Sequence, residues 1–320
     1  MSSPKLRIGF VMDPLDGIDT ERDTTFVFLE EAGARNHECL YIRPESLSIR
    51  NGTPEAKVRE VSVRRKVGDH FTLGEERPAA LEELDVVLLR KDPPFDMEFF
   101  FDTHVASMAD SGKVLVLNDP RGLRDANEKL YALHFPDVIP ENLVSADMEL
   151  LKEFLVDLGG EMIVKPLDGC GGTGIFHVKS GDRNVNAILE ASTDTGRTRV
   201  MAQRYLPEVR QGDKRIILID GEPLGGVLRV PGEAETRSNF HVGGSAAKSP
   251  LTERDREICA AVAPKLKEDG LVFVGLDVIG DYLTEVNVTS PTGVQEINAL
   301  DGVKLEANML DWIERHAPGR

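Results

Sequence analysis

The chain has 320 residues, 41% apolar and 29% charged, with a formal net charge of −17; that length favours two or three domains over one core. The acidic surplus argues against a nucleic-acid partner, whose phosphates need basic faces, although Arg and Lys gathered in one cleft can still receive small anions. No apolar run approaches the ~18 residues of a membrane helix, and the opening Met1-Ser2-Ser3-Pro4-Lys5 lacks the apolar core of a signal peptide, so a soluble, cytoplasmic protein is expected.

The first third alternates strands and helices. Leu6–Met12 reads as a strand ending at Asp13-Pro14, Thr25–Ala34 as a helix, and Glu38–Ile42 and Asp85–Leu89 as strands. Asp96–Asp110 has helical spacing and Lys113–Leu117 is strand-like. This order predicts a layered, open α/β domain with a mostly parallel sheet over residues 1–123. Asn51–Glu76, polar and aperiodic, reads as a hairpin or an insertion. Arg90-Lys91-Asp92-Pro93-Pro94 closes the strand Asp85–Leu89, where open α/β sheets place ligands; an ordinary mixed-charge loop fits it as well.

Residues 124–203 read as a second lobe: helices Asn127–Phe135 and Met148–Leu158, strand Glu161–Lys165, a glycine turn, strand Gly174–Val178, helix Val185–Ser192 and strand Val200–Gln203. Lys129 falls in the first turn of its helix, against the macrodipole. Phosphate contact is one reason for a lysine there, and a solvated surface side chain is the other. The turn Lys165-Pro-Leu-Asp168-Gly169-Cys170-Gly171-Gly172-Thr-Gly174 contains the dinucleotide spacing Gly-x-Gly-x-x-Gly, but that fingerprint needs a helix after it. Here strands flank it, so it is a hairpin. Without Cβ atoms its amides can close over a triphosphate, with Lys165 adding charge; a plain flexible turn is the alternative. Cys170 reads as a bystander thiol, and Cys39, Cys170 and Cys259 suggest neither a disulfide framework nor zinc.

Residues 204–320 read as a third lobe. Gln203-Arg-Tyr205-Leu206-Pro207 leaves a strand and can present backbone to an adenine edge while Leu206 covers its face. Arg215–Asp220 is a strand, the Gly-rich 230–249 has the composition of a mobile lid or of a disordered loop, and Thr252–Glu268 is a strong helix. Two strands separated by Gly280-Asp281 and one C-terminal helix end the chain. On the last strand Glu285 and Asn287 share a face. Asp277 joins them if the intervening loop holds an odd number of residues; a two-residue turn would pair Asp277 with Thr284 instead. Three oxygen-bearing side chains suit Mg²⁺ (or Mn²⁺) held jointly with nucleotide phosphates, the alternative being a solvated polar face.

Arg90-Lys-Asp-Pro-Pro-Phe, Asn127-Glu-Lys129-Leu, Val164-Lys165-Pro-Leu-Asp-Gly, Gln203-x-Tyr-Leu-Pro, Gly212-Asp-Lys-Arg215, Gly275-Leu-Asp277-Val-Ile-Gly and Thr284-Glu285-Val-Asn287-Val-Thr-Ser290-Pro-Thr292 together resemble bacterial-type glutathione synthetase, of the ATP-grasp superfamily. The resemblance covers nearly the whole chain. It implies an N-terminal α/β domain followed by a two-lobed ATP-grasp fold, with ATP between the second and third lobes. By match, Lys129 and Lys165 contact phosphates together with the turn Asp168, Gly169, Gly171, Gly172 and Gly174. Gln203, Tyr205 and Leu206 face adenine, and Asp277, Glu285 and Asn287 hold the metal. Arg90, Arg229, Ser290 and Thr292 line the dipeptide site, and Arg215 and Arg229 serve catalysis. The implied reaction joins γ-glutamylcysteine to glycine through an acyl phosphate, in a homotetramer. A ligase for a different amine, and a noncatalytic Mg·ATP-binding module, are the rival readings. Two positions depart from the family pattern: Ser245 and Gln295 stand where the family usually has Arg, which removes two charge-assisted contacts.

Overall fold

The computed structural model describes residues 5–169, 171–232 and 245–319; Cys170 and most of the predicted lid, including Gly243 and Gly244, lie outside them. Three sheets organise the described residues. The first contains β1 (Arg7–Val11), β2 (Glu38–Ile42), β3 (Ser48–Arg50), β4 (Thr53–Val63), β5 (Phe71–Ala80), β6 (Val86–Leu89) and β7 (Leu115–Leu117), in the order β3-β4-β2-β1-β6-β7 with β5 added to β4. Strands β2, β1, β6 and β7 are parallel; β3, β4 and β5 add to them antiparallel. The segment 51–76 is thus part of a long hairpin built into the sheet. Its inward residues Pro54, Ala56 and Val58 alternate with Glu55, Lys57 and Arg59, a period-2 pattern that its many charges dilute.

Helix α1 (Thr24–Ala34) starts at Asp23, whose side chain accepts from the Phe26 amide, and buries Phe26, Val27, Phe28 and Leu29. Helices α2 (Met97–Ala106) and α3 (Pro120–Asp125) follow β6 and β7. The helix expected at Asn127–Phe135 is replaced by a turn and a short 3₁₀ segment, Tyr131–His134. The cause is Asn127: its Oδ1 accepts from the amides of Lys129 and Leu130 at 3.1 and 3.0 Å, and its Nδ2 donates to the Leu167 carbonyl at 2.8 Å. Asn side chains compete in this way with the helical ladder.

The second sheet, β8 (Asn142–Ser145), β9 (Glu161–Pro166), β10 (Phe176–Lys179) and β11 (Val200–Arg204), is antiparallel in the order β10-β9-β11-β8. With α4 (Met148–Asp157) and α5 (Val185–Ser192) it closes a small core of its own around Leu151, Met162, Val164 and Leu189. The third sheet, β12 (Asp213–Ile219), β13 (Glu222–Val230), β14 (Ser245–Lys248), β15 (Phe273–Ile279) and β16 (Tyr282–Asn287), runs β14-β13-β12-β15-β16. Strand β13 was hidden in the sequence by Pro223, Gly225 and Gly226. A Cβ at Gly225 would sit 2.8 Å from Ile297 Cγ2, so the glycine reflects close packing rather than a turn. Helix α6 (Glu253–Glu268) opens with a Thr252/Asp255 capping box. The single C-terminal helix expected is two, α7 (Val294–Asp301) and α8 (Leu305–His316), broken at Gly302 with φ 69°. Among the described residues, no helix is long and apolar enough to cross a membrane.

The first and third sheets share their cores: Ile8, Phe10 and Phe28 pack with Ile217, Phe273 and Trp312, and Leu40, Val58 and Leu89 with Ile216, Leu276 and Val286. Asn118, just past β7, fixes the seam. It donates to the carbonyls of Phe273 and Val288 at 2.9 and 2.7 Å and accepts from the amides of Val272 and Phe273, both at 2.9 Å. Nearby, a Cβ at Gly122 would lie 2.1 Å from the Asp269 carbonyl oxygen. Gly122→Ala must therefore force α3 and the 269–271 segment apart. It is expected to destabilise by about 1–3 kcal/mol, measured as a lower Tm in scanning calorimetry; an unchanged Tm would show that the seam is not tightly packed.

Candidate functional site

The site forms where the second sheet faces β15 and β16. On β9 and β11, Met162, Val164 and Ala202 point into the lobe's own core. Lys165, opposite Met201, and Gln203, opposite Ile163, take the other face. Lys165 is buried at 4% exposure, and its Nζ donates to the Thr284 carbonyl at 3.3 Å and lies 3.7 Å from Glu285 Oε1. Burial pushes its pKa down, with Glu285 opposing and Lys129 adding to the fall. Lys129 arrives from the turn before the second sheet, which is fastened to β16 by a Val286 amide to Glu128 carbonyl bond of 2.8 Å. Its Nζ pairs with Glu128, donates to the Gly169 carbonyl at 2.6 Å and lies 3.9 Å from Glu285 Oε1. Two ammonium groups from separate segments thus flank one carboxylate. Glu128, absent from the sequence prediction, is raised in pKa by burial and by Glu285, against the pull of Lys129.

The glycine turn is a hairpin: Phe176 of β10 pairs with Val164 of β9. Gly171, Gly172 and Gly174 have φ of 63°, 81° and 73°, the left-handed region that favours glycine. Gly169 turns its carbonyl to Lys129, and Asp168 is exposed.

Asp277 meets Glu285 by a different route from the one expected. The turn holds two residues, since Ile279 pairs with Tyr282 and Val278 with Leu283, yet Asp277 pairs with Glu285. A β-bulge at Thr284 supplies the extra residue, and Thr284 Oγ1 donates to the Asp277 carbonyl at 3.1 Å. The predicted odd-length loop is replaced by an even turn plus a bulge, which restores the same register.

Asp277 is 3% exposed and bracketed by two guanidinium groups. Arg215 donates from Nε to Oδ1 at 2.5 Å and from Nη2 to Oδ2 at 3.0 Å, and Arg229 Nη2 lies 2.9 Å from Oδ2. Burial alone would raise the Asp277 pKa; the two arginines overcome it and hold the carboxyl at about 2. Asn287 Nδ2 donates to Asp277 Oδ2 at 3.2 Å. Asp213, which the sequence reading missed, pairs with Arg229 and is pushed up to about 6 by burial and Asp277, against Arg229. It lies in the Gly212-Asp-Lys-Arg215 motif and directly opposite Arg229, so the pairing of β12 with β13 would have exposed it. Among the described residues, no group of three or more His, Cys, Asp or Glu gathers to hold a metal. Asp277, Glu285 and Asn287 offer two carboxylates and an amide, so phosphate oxygens would have to complete a cation's shell.

Gln203 and Leu206 are buried at 6% and 7% exposure. Tyr205 instead stacks on His177, with ring centroids 3.8 Å apart. Arg90, 5% exposed, lies over the Phe28 and Phe273 rings. It donates to Thr25 Oγ1 at 3.1 Å and to the carbonyls of Thr289 and Pro291 at 3.4 and 3.2 Å, and burial lowers its pKa to about 10. With Arg215 donating to the Thr292 carbonyl at 3.1 Å, the loop bearing Ser290 and Thr292 is held by its backbone, leaving both hydroxyl side chains partly exposed. Gln295 donates to the carbonyls of Thr20 and Asp23 and accepts from Arg65 Nη1 at 3.0 Å, so a guanidinium from the β4–β5 hairpin touches the side chain at which the sequence reading expected a family Arg. Ser245 is exposed on β14.

The prokaryotic glutathione synthetase N-terminal domain model matches residues 6–124, and the corresponding ATP-grasp domain model matches residues 128–302. The chain is 48% identical over 309 residues to a glutathione synthetase from Brucella melitensis, covering 97% of this chain and 98% of that one. It is 46% identical to one from Pseudomonas putida, covering 98% and 99%. In fold it is similar to the D-cycloserine synthetase DcsG, with a TM-score of 0.64 at 16% identity over 97% of this chain and 99% of that one. A RimK domain ATP-grasp protein from Sphaerobacter thermophilus gives 0.61 at 17% identity, over 98% and 100%.

Asp277→Asn would leave two buried guanidinium groups short of their counter-charge, an expected loss of about 3–5 kcal/mol in chemical denaturation. The folded pKa of about 2 lies below the ordinary 3.8. The carboxylate's contribution is therefore fully present above the unfolded value and disappears as pH falls through about 2. The gap between wild type and variant should stay level from neutral to weakly acid pH and close only in strong acid; a gap that closes in weak acid would contradict the bracketing.

Proposed function

Because the chain belongs to the prokaryotic glutathione synthetase family, we propose that it is an ATP-dependent ligase that joins γ-glutamylcysteine to glycine, with the roles below assigned to its own residues. The carboxylate of γ-glutamylcysteine attacks the γ-phosphorus of ATP, ADP leaves, and an acyl phosphate forms. The glycine amine then adds to the acyl carbon, phosphate departs with the C–O bond electrons, and the amine loses a proton to give the amide.

The observation that carries this reading is the meeting of Lys129, Lys165 and Glu285 beside the Asp277–Arg215–Arg229 cluster. Phosphoryl transfer spreads negative charge over oxygens, and fixed cations in a buried site stabilise it without reorganising. Lys129 and Lys165 are assigned to the phosphates. Arg215 and Arg229, already locked by Asp277 and Asp213, are assigned to the transferring group and the acid's carboxylate. The amides of the glycine hairpin close over the triphosphate, and Gln203, Tyr205 and Leu206 border the adenine. Asp277, Glu285 and Asn287 would hold Mg²⁺, which would neutralise phosphate charge. Arg90 acts through the loop it grips, presenting Ser290 and Thr292 to the dipeptide.

We also assign residues 1–123, 124–203 and 204–320 to three lobes. A homo-oligomer, a tetramer by family, is supported by an apolar stripe on and just past α2, where Met97, Phe101 and Met108 are 60%, 51% and 51% exposed. The buried free thiols Cys39 and Cys259 fit a reducing, cytoplasmic setting.

Incubation with ATP, Mg²⁺, γ-glutamylcysteine and glycine should release ADP and tripeptide in equal amounts, and chelating the metal should stop both. ADP release only with another amine would reassign the acceptor; bound ATP without ADP release for any amine would make the chain a noncatalytic binder. Lys165→Met should lower kcat/KM for ATP by about 10²–10³-fold with an unchanged Tm, and equal turnover by the variant would remove Lys165 from the phosphate site.

A further inference from the structure

A cleft of about 250 Å³ opens on the outer strands of the first sheet. Its walls are Tyr41 of β2 with Arg43 just beyond, Lys57 and Arg59 of β4, Glu76 of β5, and Glu45 and Ser46 of the turn Pro44–Ser46. None of these residues belongs to the ligase site. Tyr41 pairs with Arg59 and Arg59 with Glu76 across antiparallel strands, so the three form one row on one face of the sheet.

Two features separate this cleft from an ordinary charged groove. The body of Tyr41 is packed into the sheet, the residue being 5% exposed, and its hydroxyl has no hydrogen-bond partner among the described residues. Tyr41 lines the cleft, so a ligand can meet its hydroxyl from that side. Burial also pushes the Tyr41 pKa up, so the hydroxyl remains a neutral donor. The second feature is Arg59. Its Nε donates to the Gly74 carbonyl at 2.9 Å, while its two terminal nitrogens have no partner among the described residues, leaving a planar fork of the kind that grips carboxylates. Lys57 and Arg43, by contrast, are paired with Glu76, at 3.2 Å, and with Glu45.

The wall therefore carries three cations and two carboxylates, a small positive excess in a chain of net charge −17. A site for a simple anion has no use for the glutamates, and a site for a neutral molecule has none for a free guanidinium fork. We infer that this cleft is a second ligand site, taking a zwitterionic α-amino-acid group whose carboxylate meets Arg59 and the Tyr41 hydroxyl and whose ammonium meets Glu45 or Glu76. The volume is below the ~300–1,000 Å³ of sites that enclose drug-sized ligands, which suits an amino-acid end group and excludes a whole nucleotide. Two sources share this chemistry: free amino acids, and γ-glutamyl peptides, whose glutamyl end keeps its α-carboxylate and α-ammonium. Only the second source rests on the ligase reading.

Equilibrium dialysis with radiolabelled glutathione tests the inference on the full chain, comparing wild type with Arg59→Ala and Arg59→Lys. One saturable site per chain should be lost in Arg59→Ala and weakened about tenfold or more in Arg59→Lys, with ATP-dependent turnover at saturating substrates unchanged. Displacement of that site's label by free glutamate identifies amino acids as occupants, and resistance to glutamate identifies the peptide. Equal binding to wild type and both variants overturns the site. Displacement by succinate as effective as by glutathione overturns the zwitterion assignment, because succinate has no ammonium. Arg59→Lys keeps the charge and stem, so the comparison stands even if Arg59→Ala fails to fold. A wild-type chain that releases ADP but shows no Arg59-dependent glutathione site would sink this inference and leave the ligase reading intact.

Discussion

The site depends on a single cross-strand pairing, Asp277 with Glu285, and on the bulge that makes it. Without the extra residue at Thr284, the two-residue turn at Gly280-Asp281 would place Asp277 opposite Thr284 and turn Glu285 to the other face. With it, one carboxylate points toward two guanidinium groups and its neighbour toward two ammonium groups. Each carboxylate gathers the cations of a different part of the chain: Arg215 and Arg229 come from within the third sheet, whereas Lys129 and Lys165 come from the segment before it. The charge arrangement thus follows from strand register.

That arrangement also sets each buried charge of the cleft beside an opposite one. Desolvation lowers the pKa of Lys165 and would raise that of Asp277, and in both cases the first opposing influence is an opposite charge close by. A nucleotide bound by these cations, as proposed, would exchange one set of anionic partners for another without requiring the cations to be drawn out of water at that moment.

Much of this was legible in the sequence because it rests on local chemistry. The strand–turn–strand context of the glycines ruled out a dinucleotide fold, and the sheet confirms a hairpin. Alternation at Glu285 and Asn287 gave their common face. What escaped depended on partners distant in sequence. The bulge cannot be read from loop length; the Asn127 turn required knowing that Leu167 lies beside it; β13 required knowing that Ile297 presses on Gly225. Asp213 looked like an ordinary motif residue until Arg229 was placed across from it. Arg90 was correctly drawn to the strand end, but its grip on the carbonyls of Thr289 and Pro291 belongs to a joint between sheets that no local pattern encodes.

The division of the interior has a mechanical meaning. The first and third sheets are welded through common cores and the Asn118 amide, whereas the second sheet has a separate small nucleus of its own. The molecule is therefore built as one joined pair of sheets and a third that carries its own core. The second sheet meets the joined pair at Thr284 and Glu285 through Lys165, and the glycine hairpin is tied to Glu285 through Lys129, so the side chains that would grip a triphosphate are also the ties between the two parts.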